Sequence, residues 1–371
     1  MFEVLGRTEG KVTAFRMLKP DDWHQHMRDG DMLKLVGPMV SKRFYSAIIM
    51  PNLTPPITTA QQAFEYRQRI LDATEPGFIP LMTLYLTDGL DPEEVRKSHN
   101  AVWAIKYYPR GLTTNSDSGV KNPADLWTPG TKPYDCLQVL AEQRGVLLLH
   151  AADGFDRAGA ELDPYDQEKH FVMHTLPEII KAHPRLKISV EHLSTKWGAD
   201  FIVTHGGEYL GCSLTAHHLL LDRRDVFRGG FHPHRSWMPV IQPPEHKEAL
   251  RHLATADKPF VWLGSDSAPH PRVKKEAACC ASGVLMAHAG IELYAEAFED
   301  MKALDNRFER FASLNGRKFF GFINDHMQTI ELVREEWKSQ PLFYAESGEN
   351  LDVSELVPFR LGENIRWKLA A

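Results

Sequence analysis

Residues 145–150 read Gly-Val-Leu-Leu-Leu-His, and residues 186–192 read Leu-Lys-Ile-Ser-Val-Glu-His. The first stretch is an unbroken apolar run, the second has three aliphatic residues with Lys187 and Ser189 between them, and both end in a histidine. Apolar runs without regular polar alternation are typical of strands in a parallel sheet that is covered on both faces. Between them, residues 177–183 have the apolar spacing of a helix. This order of strand, helix and strand decides the fold class that we predict.

The same unit recurs along the chain. The predicted strands are the apolar runs Ala14–Leu18, Phe44–Met50, Phe78–Leu86, Val102–Tyr108, Gly145–Leu149, Leu186–Val190, Tyr209–Leu214 and Phe260–Leu263. Eight strand–helix units predict an α/β fold of the (β/α)8 barrel type, which usually takes about 250 residues. The interval from Asp88 to Lys106 leaves little room for a helical crossover. An open doubly wound sheet is the alternative, although no Gly-x-Gly-x-x-Gly turn follows the first strand.

We predict a single domain over residues 1–371, because no Ser/Gly-rich linker, low-complexity tract or block of like charge divides the chain. The barrel is expected to occupy roughly residues 13–320. The C-terminal extension, roughly residues 321–371, contains elements that the sequence pattern does not place.

Composition excludes several classes of function. The chain has 371 residues, and 43 Lys and Arg against 49 Asp and Glu give a formal net charge of −6. This balance provides no overall basic field, which argues against nucleic acid or an anionic membrane as partner. No apolar stretch approaches the roughly 18 residues of a membrane span, and the first residues lack a secretory signal pattern. The 4 cysteines have no CxxC spacing, so we expect a cytoplasmic protein without a disulfide framework.

Histidine is unusually frequent, with 18 copies against 12 for methionine. In a (β/α)8 barrel the chemistry lies at the carboxyl ends of the strands. Polar residues at the ends of the predicted strands are therefore candidate functional residues: His24, His26, Asn52, Lys106, His150, His192 and Asp266. Zinc binds imidazole and carboxylate groups readily, and a catalytic zinc keeps one position open for water. These residue types predict a metal-dependent catalytic site.

His24 and His26 are two residues apart, so both imidazoles leave the same face of a strand and can bind one ion. An HxH pair also occurs incidentally on loops. The second pair, His232 and His234, encloses a proline and follows Gly229-Gly230, so we interpret it as part of a loop.

His150 and His192 could each simply cap a strand through a hydrogen bond, and Asp266 could be a turn residue or a helix N-cap. The two histidines stand in the same register at consecutive strand ends, and Asp266 follows the last strand. This shared placement favours one joint metal site over three separate capping roles.

Lys106 also has two interpretations. Its stem could cross apolar surface while its ammonium stays in water. In a barrel strand beside metal ions, the ammonium would be repelled, and its pKa would have to fall from about 10.4. Carboxylation of the amine would instead create an anionic oxygen ligand able to bridge two metals, although neither composition nor spacing shows this modification.

Longer motifs extend in order along nearly the whole chain and resemble one known family. They comprise Leu18–Leu33, Met50–Pro56, Ile105–Pro109, Thr113–Asn115, Glu191–Lys196, Gly264–His270 and Leu356–Trp367. By these motifs the chain resembles the dihydroorotase family of the amidohydrolase superfamily, in its shorter bacterial form.

The resemblance implies a ligand set and a reaction. His24, His26 and Asp266 would hold one zinc, and His150 and His192 would hold a second. Carboxylated Lys106 would bridge the two ions. The family reaction is the reversible cyclisation of N-carbamoyl-L-aspartate to L-dihydroorotate in pyrimidine synthesis, with Asp266 acting as ligand and as catalytic base.

The resemblance also implies how the substrate is held. Arg28, two residues beyond His26, suits a carboxylate through its planar guanidinium. Asn52 and His270 would complete the carboxylate pocket, although Asn52 in Pro51-Asn52 could instead be a turn residue. Main-chain contacts to the pyrimidine ring would fall at Met238 and near Ser282, where residues 279–283 are poorer in Cys and Gly than the family pattern.

The polar stretch 110–119 has the composition of a mobile loop. In the family a loop here closes over the substrate, and Thr113 and Thr114 would reach it. The family also implies a homodimer that acts on a small-molecule substrate. Two alternatives stay open: another cyclic-amide hydrolase of the hydantoinase or allantoinase type, and a non-catalytic scaffold homologue.

Overall fold

The computed structural model describes residues 1–322, 327–346 and 353–370. Its strands up to the last one of the barrel are β1 (Glu3–Thr8), β2 (Lys11–Leu18), β3 (Asp21–Gln25), β4 (Ser46–Ile49), β5 (Ile79–Leu81), β6 (Thr83–Leu86), β7 (Ala104–Tyr107), β8 (Val146–Leu149), β9 (Lys187–Val190), β10 (Leu210–Leu214) and β11 (Val261–Leu263). The strands that follow are β12 (Thr329–Val333), β13 (Trp337–Lys338), β14 (Leu342–Ala345), β15 (Val353–Leu356), β16 (Asn364–Ile365) and β17 (Lys368–Leu369).

Helices alternate with the strands of the central sheet. They are α1 (Gly30–Arg43), α2 (Ala60–Ala73), α3 (Pro92–Lys97), α4 (Lys132–Glu142), α5 (Gln167–His170), α6 (Leu176–Ala182), α7 (Lys196–His205), α8 (Ala216–Leu220), α9 (Arg223–Phe227), α10 (Pro244–Thr255), α11 (Arg272–Lys275), α12 (Gly290–Asp300), α13 (Asn306–Glu309) and α14 (Asn315–Phe320). None of the helices in the described ranges is long and apolar enough to cross a membrane.

The strands β3 to β11 form a closed parallel barrel. One run of neighbours is β3, β4 and β5, and the other continues from β6 through β11. Only Met82 separates β5 from β6, so together they make the third barrel strand. The ring closes where the amide of Asp266 donates to the carbonyl of His24 at 2.9 Å and the amide of His26 donates to Ser267 at 3.2 Å. The predicted (β/α)8 architecture is confirmed.

The prediction was wrong about the first strand. The run Ala14–Leu18 belongs to β2, which pairs antiparallel with β1 and β12 outside the barrel. The first barrel strand is instead β3, which reads Asp-Asp-Trp-His-Gln and is buried throughout. Its aspartates form hydrogen bonds and an ion pair with residues distant in sequence. A search for apolar runs therefore could not identify this strand.

The short interval before Lys106 contains a correspondingly short crossover. Helix α3 has only 6 residues, begins with Pro92 and is capped by Asp91, whose side chain accepts from the amide of Glu93. A proline in the first turn is compatible with a helix because that position has no intrahelical partner for its amide. The eight-unit repeat is therefore kept without a long helix at this point.

Aromatic side chains fill the amino-terminal end of the barrel. Trp23 stacks on Phe320 from α14, with ring centroids 4.5 Å apart and planes within 3°. Helix α14 approaches closely because it has Gly316 at the contact, where a Cβ atom would lie 2.0 Å from the Trp23 indole nitrogen. Arg317 on the same helix pairs with Asp21 of β3. The chemistry is therefore confined to the opposite, carboxyl end of the strands.

The residues after the barrel form small antiparallel sheets. Strand β12 lies between β2 and β17, while β13 pairs with β16 and β14 pairs with β15. Arg272, in the segment after the last barrel strand, forms an ion pair with Glu355 of β15 at 2.7 Å. Leu285 forms a parallel bridge with Pro358. The extension therefore supports the loops that follow the last barrel strand.

Candidate metal centre and active site

The carboxyl ends of the barrel strands bring together the histidines that the sequence pattern selected. His24 is the second-to-last residue of β3, His150 follows β8 directly, and His192 lies two residues after β9. All of them are buried, with exposed fractions of 2 % or less. The carboxyl ends of the parallel strands meet at one end of the barrel, so the residues there come together.

Three ligand-type atoms form the first cluster. The Oδ1 atom of Asp266 lies 3.3 Å from Nε2 of His24 and 3.1 Å from Nε2 of His26. The ligand atoms of these three residues all lie within 4.8 Å of one another. Two imidazole nitrogens and a carboxylate oxygen that converge in this way are a donor set for zinc.

A second pair of histidines adjoins the first cluster. Nδ1 of His150 lies 3.1 Å from Nε2 of His192. The ring of His192 is also 5.0 Å from that of His24, measured between centroids. Nδ1 of His192 is buried and has no hydrogen-bond partner among the described residues. The two groups of candidate ligands are therefore direct neighbours at the same end of the barrel.

Lys106 is fully buried within β7, in register with Tyr85 of β6 and Leu148 of β8. Its Nζ atom has no hydrogen-bond partner in the part of the chain that the structure describes, and it lies 5.1 Å from the centroid of the Tyr108 ring. Burial lowers the pKa of Lys106 to about 8, although Glu191 and Asp266 oppose the shift. A lysine in this state is more readily a neutral amine than a surface lysine is.

Burial keeps the four candidate histidine ligands in the neutral state that metals require, but it works against the charged form of the candidate carboxylate ligand. It lowers the pKa of each of the four histidines well below the usual value, so the imidazoles are neutral and have a free lone pair. Burial raises the pKa of Asp266 to about 7, while Lys106 and Arg28 counteract it. A cation bound here would remove this cost, so the residues fit a metal centre.

The sequence interpretation missed Glu191, which positions His24. Its Oε2 atom accepts a hydrogen bond from Nδ1 of His24 at 2.6 Å and another from Ser213 at 3.1 Å. Ser189 donates to its other oxygen. A carboxylate on Nδ1 fixes the tautomer and directs the lone pair of Nε2 towards Asp266. The only local signal was its place between the end of β9 and His192, and a single carboxylate at a strand end has no pattern of its own.

A cavity with an empty volume of about 360 Å³ opens above the histidines. It is lined by all but two of the predicted site residues, namely His24, His26, Arg28, Asn52, Thr113, Thr114, His150, His192, Met238, Asp266 and Ser282. The two exceptions are Lys106, which is buried within β7, and His270, which contacts Arg28. Tyr108, Ala268 and Gly283 complete the lining, and the sequence analysis did not select them.

Arg28 and His270 form one polar group at the side of the cavity. Nε of Arg28 donates to the carbonyl of Pro269 at 2.9 Å, and Nη2 lies 2.9 Å from Nε2 of His270. Nε2 of His270 also lies 2.9 Å from the carbonyl of Ser282. A neutral imidazole nitrogen either donates or accepts. When Nε2 carries the proton and donates to Ser282, Nη2 of Arg28 is left available to an anion.

The loop formed by residues 110–119 closes one side of the cavity. The hydroxyl of Thr114 donates to the carbonyl of Ser282 at 3.3 Å and accepts from the amide of Ser282 at 2.9 Å. Nδ2 of Asn52 donates to the carbonyl of Thr114 at 3.4 Å. Asn115 returns a hydrogen bond to the carbonyl of Asn52 at 3.1 Å. The loop therefore joins the Asn52 and Ser282 sides of the cavity.

Three residues of this site have a strained backbone. Arg28, His192 and Asp266 all have left-handed backbone torsions, with φ values of 59°, 42° and 47°. Such a conformation costs a non-glycine residue of the order of 1–3 kcal/mol and is maintained only by the surrounding structure. Here the barrel ends hold the strained residues so that their side chains point to one cavity.

A barrel with histidines and an aspartate at its strand ends defines a metal-dependent hydrolase of the amidohydrolase type. The solved L-hydantoinase (dihydropyrimidinase) of Arthrobacter aurescens matches it with a TM-score of 0.77 over 97% of this chain and 83% of that chain. Its sequence identity is 17%, so this match is a likeness of fold alone.

Closer similarity identifies the family. The curated dihydroorotases of Azoarcus sp. (strain BH72) and Aromatoleum aromaticum are 44% and 43% identical, over 97% and 96% of this chain and 100% of theirs. The crystal structure of Saccharomyces cerevisiae dihydroorotase in complex with 5-fluoroorotic acid has a TM-score of 0.86 at 29% identity, covering 97% of this chain and 99% of that chain. No model of a protein family matches the chain. The chain belongs to the dihydroorotase family, whose members are metal-dependent hydrolases of a cyclic amide.

Proposed function

We propose that this chain interconverts N-carbamoyl-L-aspartate and L-dihydroorotate in pyrimidine synthesis. The observation that carries the proposal is that one cavity contains both a candidate metal site and a cationic side chain. The cluster of His24, His26 and Asp266 lies at its base, and the guanidinium of Arg28 lies at its side. Substrate and product both retain a carboxylate that takes no part in making or breaking the amide, so they need an anion-binding site as well as the metal site.

The metal centre is proposed to hold two zinc ions in each subunit. His24, His26 and Asp266 would hold one ion, and His150 and His192 would hold the other. Lys106, carboxylated on its amine, would bridge them. The buried and unpartnered Nζ of Lys106 and Nδ1 of His192 support this assignment, because such atoms are costly unless a ligand satisfies them. When bound, the ions would supply a nucleophilic water at neutral pH and polarise the amide carbonyl.

Asp266 is proposed to move the proton. In the hydrolytic direction its carboxylate accepts a proton from the attacking water and passes it to the ring nitrogen as the amide bond breaks. In ring closure the same carboxylate takes the proton from the carbamoyl nitrogen and returns it to the departing oxygen. Its left-handed backbone and the hydrogen bond from its amide to His24 hold it at the cavity base.

Arg28, Asn52 and His270 are proposed to bind the substrate carboxylate. The carbonyl of Pro269 accepts a hydrogen bond from Nε of Arg28 and so orients the guanidinium, and Arg28 lines the cavity. His270 stays neutral because burial lowers its pKa to about 2. It therefore donates to the Ser282 carbonyl without adding a second charge that would repel Arg28.

Met238 and Ser282 are proposed to contact the pyrimidine ring through their main chains, and Thr113 and Thr114 to close over it. The hydrogen bonds between Thr114 and Ser282 support a lid that touches the rim of the cavity. Closure of such a lid excludes water and completes the site around the substrate.

The proposal is tested by measuring metal content together with turnover. Purified protein is expected to contain zinc and to form N-carbamoyl-L-aspartate from L-dihydroorotate. Chelation should remove both metal and activity, and readdition of zinc should restore both. A protein that remained active after its metal had been removed would overturn the proposed mechanism.

Replacement of Arg28 with Met is expected to lower kcat/KM strongly for both the hydrolysis and the ring-closure reaction. Loss of one partner from a buried charge pair typically costs about 2–5 kcal/mol. In kcat/KM this corresponds to a loss of about thirty- to several-thousand-fold. Metal content should stay unchanged, because Arg28 is not a ligand. The exposed Arg7 provides the control, and Arg7→Met should leave kcat/KM unchanged. Undiminished turnover by Arg28→Met would sink the assignment of an acidic substrate.

Neither alternative is favoured by the site. A hydantoinase-type enzyme acting on a neutral ring would gain nothing from Arg28 and His270 at the cavity side. A scaffold homologue would be expected to lack some ligands, whereas His24, His26, Lys106, His150, His192 and Asp266 are all present. Turnover of dihydroorotate, compared with turnover of an uncharged hydantoin, separates these possibilities.

We further propose that the chain forms a homodimer in the cytoplasm. The family resemblance supports the dimer, and the free state of Cys136, Cys212, Cys279 and Cys280 suits a reducing compartment. Light scattering on the purified protein would give the mass of the assembly and contradict the dimer if it reported a monomer.

A further inference from the structure

Two chain segments that the proposed function assigns to the pyrimidine ring have no common secondary structure. Met238 lies after the turn Pro233–Arg235, and Ser282 lies in the irregular stretch between α11 and α12. Segments of this kind do not acquire a fixed separation from the barrel itself. Something must hold one against the other if both are to meet the same ligand.

Lys275, the last residue of α11, lies between these segments and is 2% exposed. Its Nζ atom donates to the carbonyl of Ser236 at 3.0 Å and to the carbonyl of Ala281 at 2.7 Å. Ser236 is two residues before Met238, and Ala281 is directly before Ser282. One ammonium group therefore joins the two segments next to their proposed ligand contacts.

A main-chain hydrogen bond strengthens the same junction. The amide of Gly283 donates to the carbonyl of Ser236 at 3.2 Å, so this oxygen accepts from both Gly283 and Lys275. Gly283 has a φ value of 116°, and a Cβ atom there would lie 2.6 Å from that of Ala268. Close packing thus fixes the backbone at Gly283, and Lys275 donates the second hydrogen bond to the Ser236 carbonyl.

Burial of the Lys275 ammonium at this position costs free energy. Burial lowers the pKa of Lys275 to about 8. Among the described residues no carboxylate lies within ion-pair distance of its ammonium, so the main-chain carbonyls of Ser236 and Ala281 are what stabilise the charged form. Burying an ammonium without a counter-ion is unfavourable. The joining of the two segments gives this cost a function.

We propose that Lys275 is a positioning residue, whose ammonium sets the spacing between the Met238 and Ser282 segments and so determines affinity for the pyrimidine ring. The inference rests on the proposed function, since the ligand contacts at Met238 and Ser282 belong to it. Lys275 touches neither the metal cluster nor the reacting atoms, so its effect should fall on binding.

Replacement of Lys275 with Met tests the proposal, because Met keeps the chain length and removes all three donors. The expected result is a rise of tenfold or more in KM for dihydroorotate, with kcat lowered less than threefold. The dissociation constant for 5-fluoroorotic acid should rise in parallel, and zinc content should not change. Lys274, the exposed neighbour on the same helix, gives the matched control. Lys274→Met should behave as the wild type does.

The conservative variant distinguishes positioning from a general structural role. Lys275→Arg, which keeps the charge and several donors, is expected to recover at least half of the lost affinity. If Lys275→Met does not fold, Lys275→Gln provides the measurement, since its amide can still donate to one carbonyl. An unchanged KM, or equal losses in kcat and zinc content, would overturn the proposal. Failure of the proposed function would appear separately, as a wild-type protein that does not turn over dihydroorotate.

Discussion

Asp266→Asn is expected to retain the fold and to lower kcat for dihydroorotate hydrolysis by about a hundred- to ten-thousandfold, the range typical of a lost general base. The amide of asparagine has nearly the same shape, but it cannot accept the proton that the carboxylate is proposed to carry. Because Asp266 contacts His24 and His26, some loss of zinc is also expected. The measurement is steady-state kinetics in both directions, with zinc content determined on the same sample.

A control is needed because Asp266→Asn also changes the net charge by one unit. Asp200, exposed on α7, carries the same charge far from the cavity, so Asp200→Asn should leave kcat unchanged. If Asp266→Asn kept its zinc and lost less than about threefold in kcat, Asp266 would not be the proton carrier.

Lys106→Met should abolish the second metal position and lower kcat by at least about a hundredfold, since bound metals contribute several kcal/mol to charge stabilisation. Methionine fills the space of the lysine within β7 but cannot become a carbamate. The variant is therefore expected to fold, because the site is buried and the Nζ atom has no hydrogen bond to lose among the described residues. Zinc content per subunit, activity and the thermal midpoint are measured together.

A pair of variants tests whether Lys106 is needed because its carboxylated amine provides oxygen ligands to the metals. Lys106→Ala leaves a cavity in which acetate can provide the missing oxygens, so added acetate should restore part of its activity. Lys106→Met leaves no such space and should not respond. Lys318, exposed on α14, is the control for loss of one positive charge. Full zinc content and activity in Lys106→Met would contradict a bridging role.

The local sequence predicted those site residues that terminate apolar strands. His150 directly follows the buried aliphatic strand Val146–Leu149, and His192 comes two residues after Lys187–Val190, in which Ile188 and Val190 are buried. Short segments rich in aliphatic residues are typical of parallel strands. Once the strands are placed, the architecture fixes which end is used, and polar residues at that end must meet. The sequence therefore determined the barrel and the presence of a metal-type donor set.

Pattern alone failed where polar groups satisfy one another inside the barrel. Strand β3 contains two aspartates and was overlooked in favour of the apolar run in β2. Its side chains are buried because Arg317 pairs with Asp21 and Ser265 donates to Asp22, contacts that span most of the chain. Burial of a polar strand depends on such partners, and no local periodicity reports them.

Only the tertiary structure decided how the site is supported. Glu191 and His24 are 167 residues apart in sequence, yet their 2.6 Å hydrogen bond sets the tautomer of a candidate ligand. Lys275 joins two segments of the cavity rim through carbonyl groups, which every residue has and which therefore leave no mark in the sequence. Side-chain chemistry and strand pattern are local properties, and the sequence by itself determined them. The partners of buried polar groups arise only when the barrel closes, so the orientation and spacing of the site were decided there.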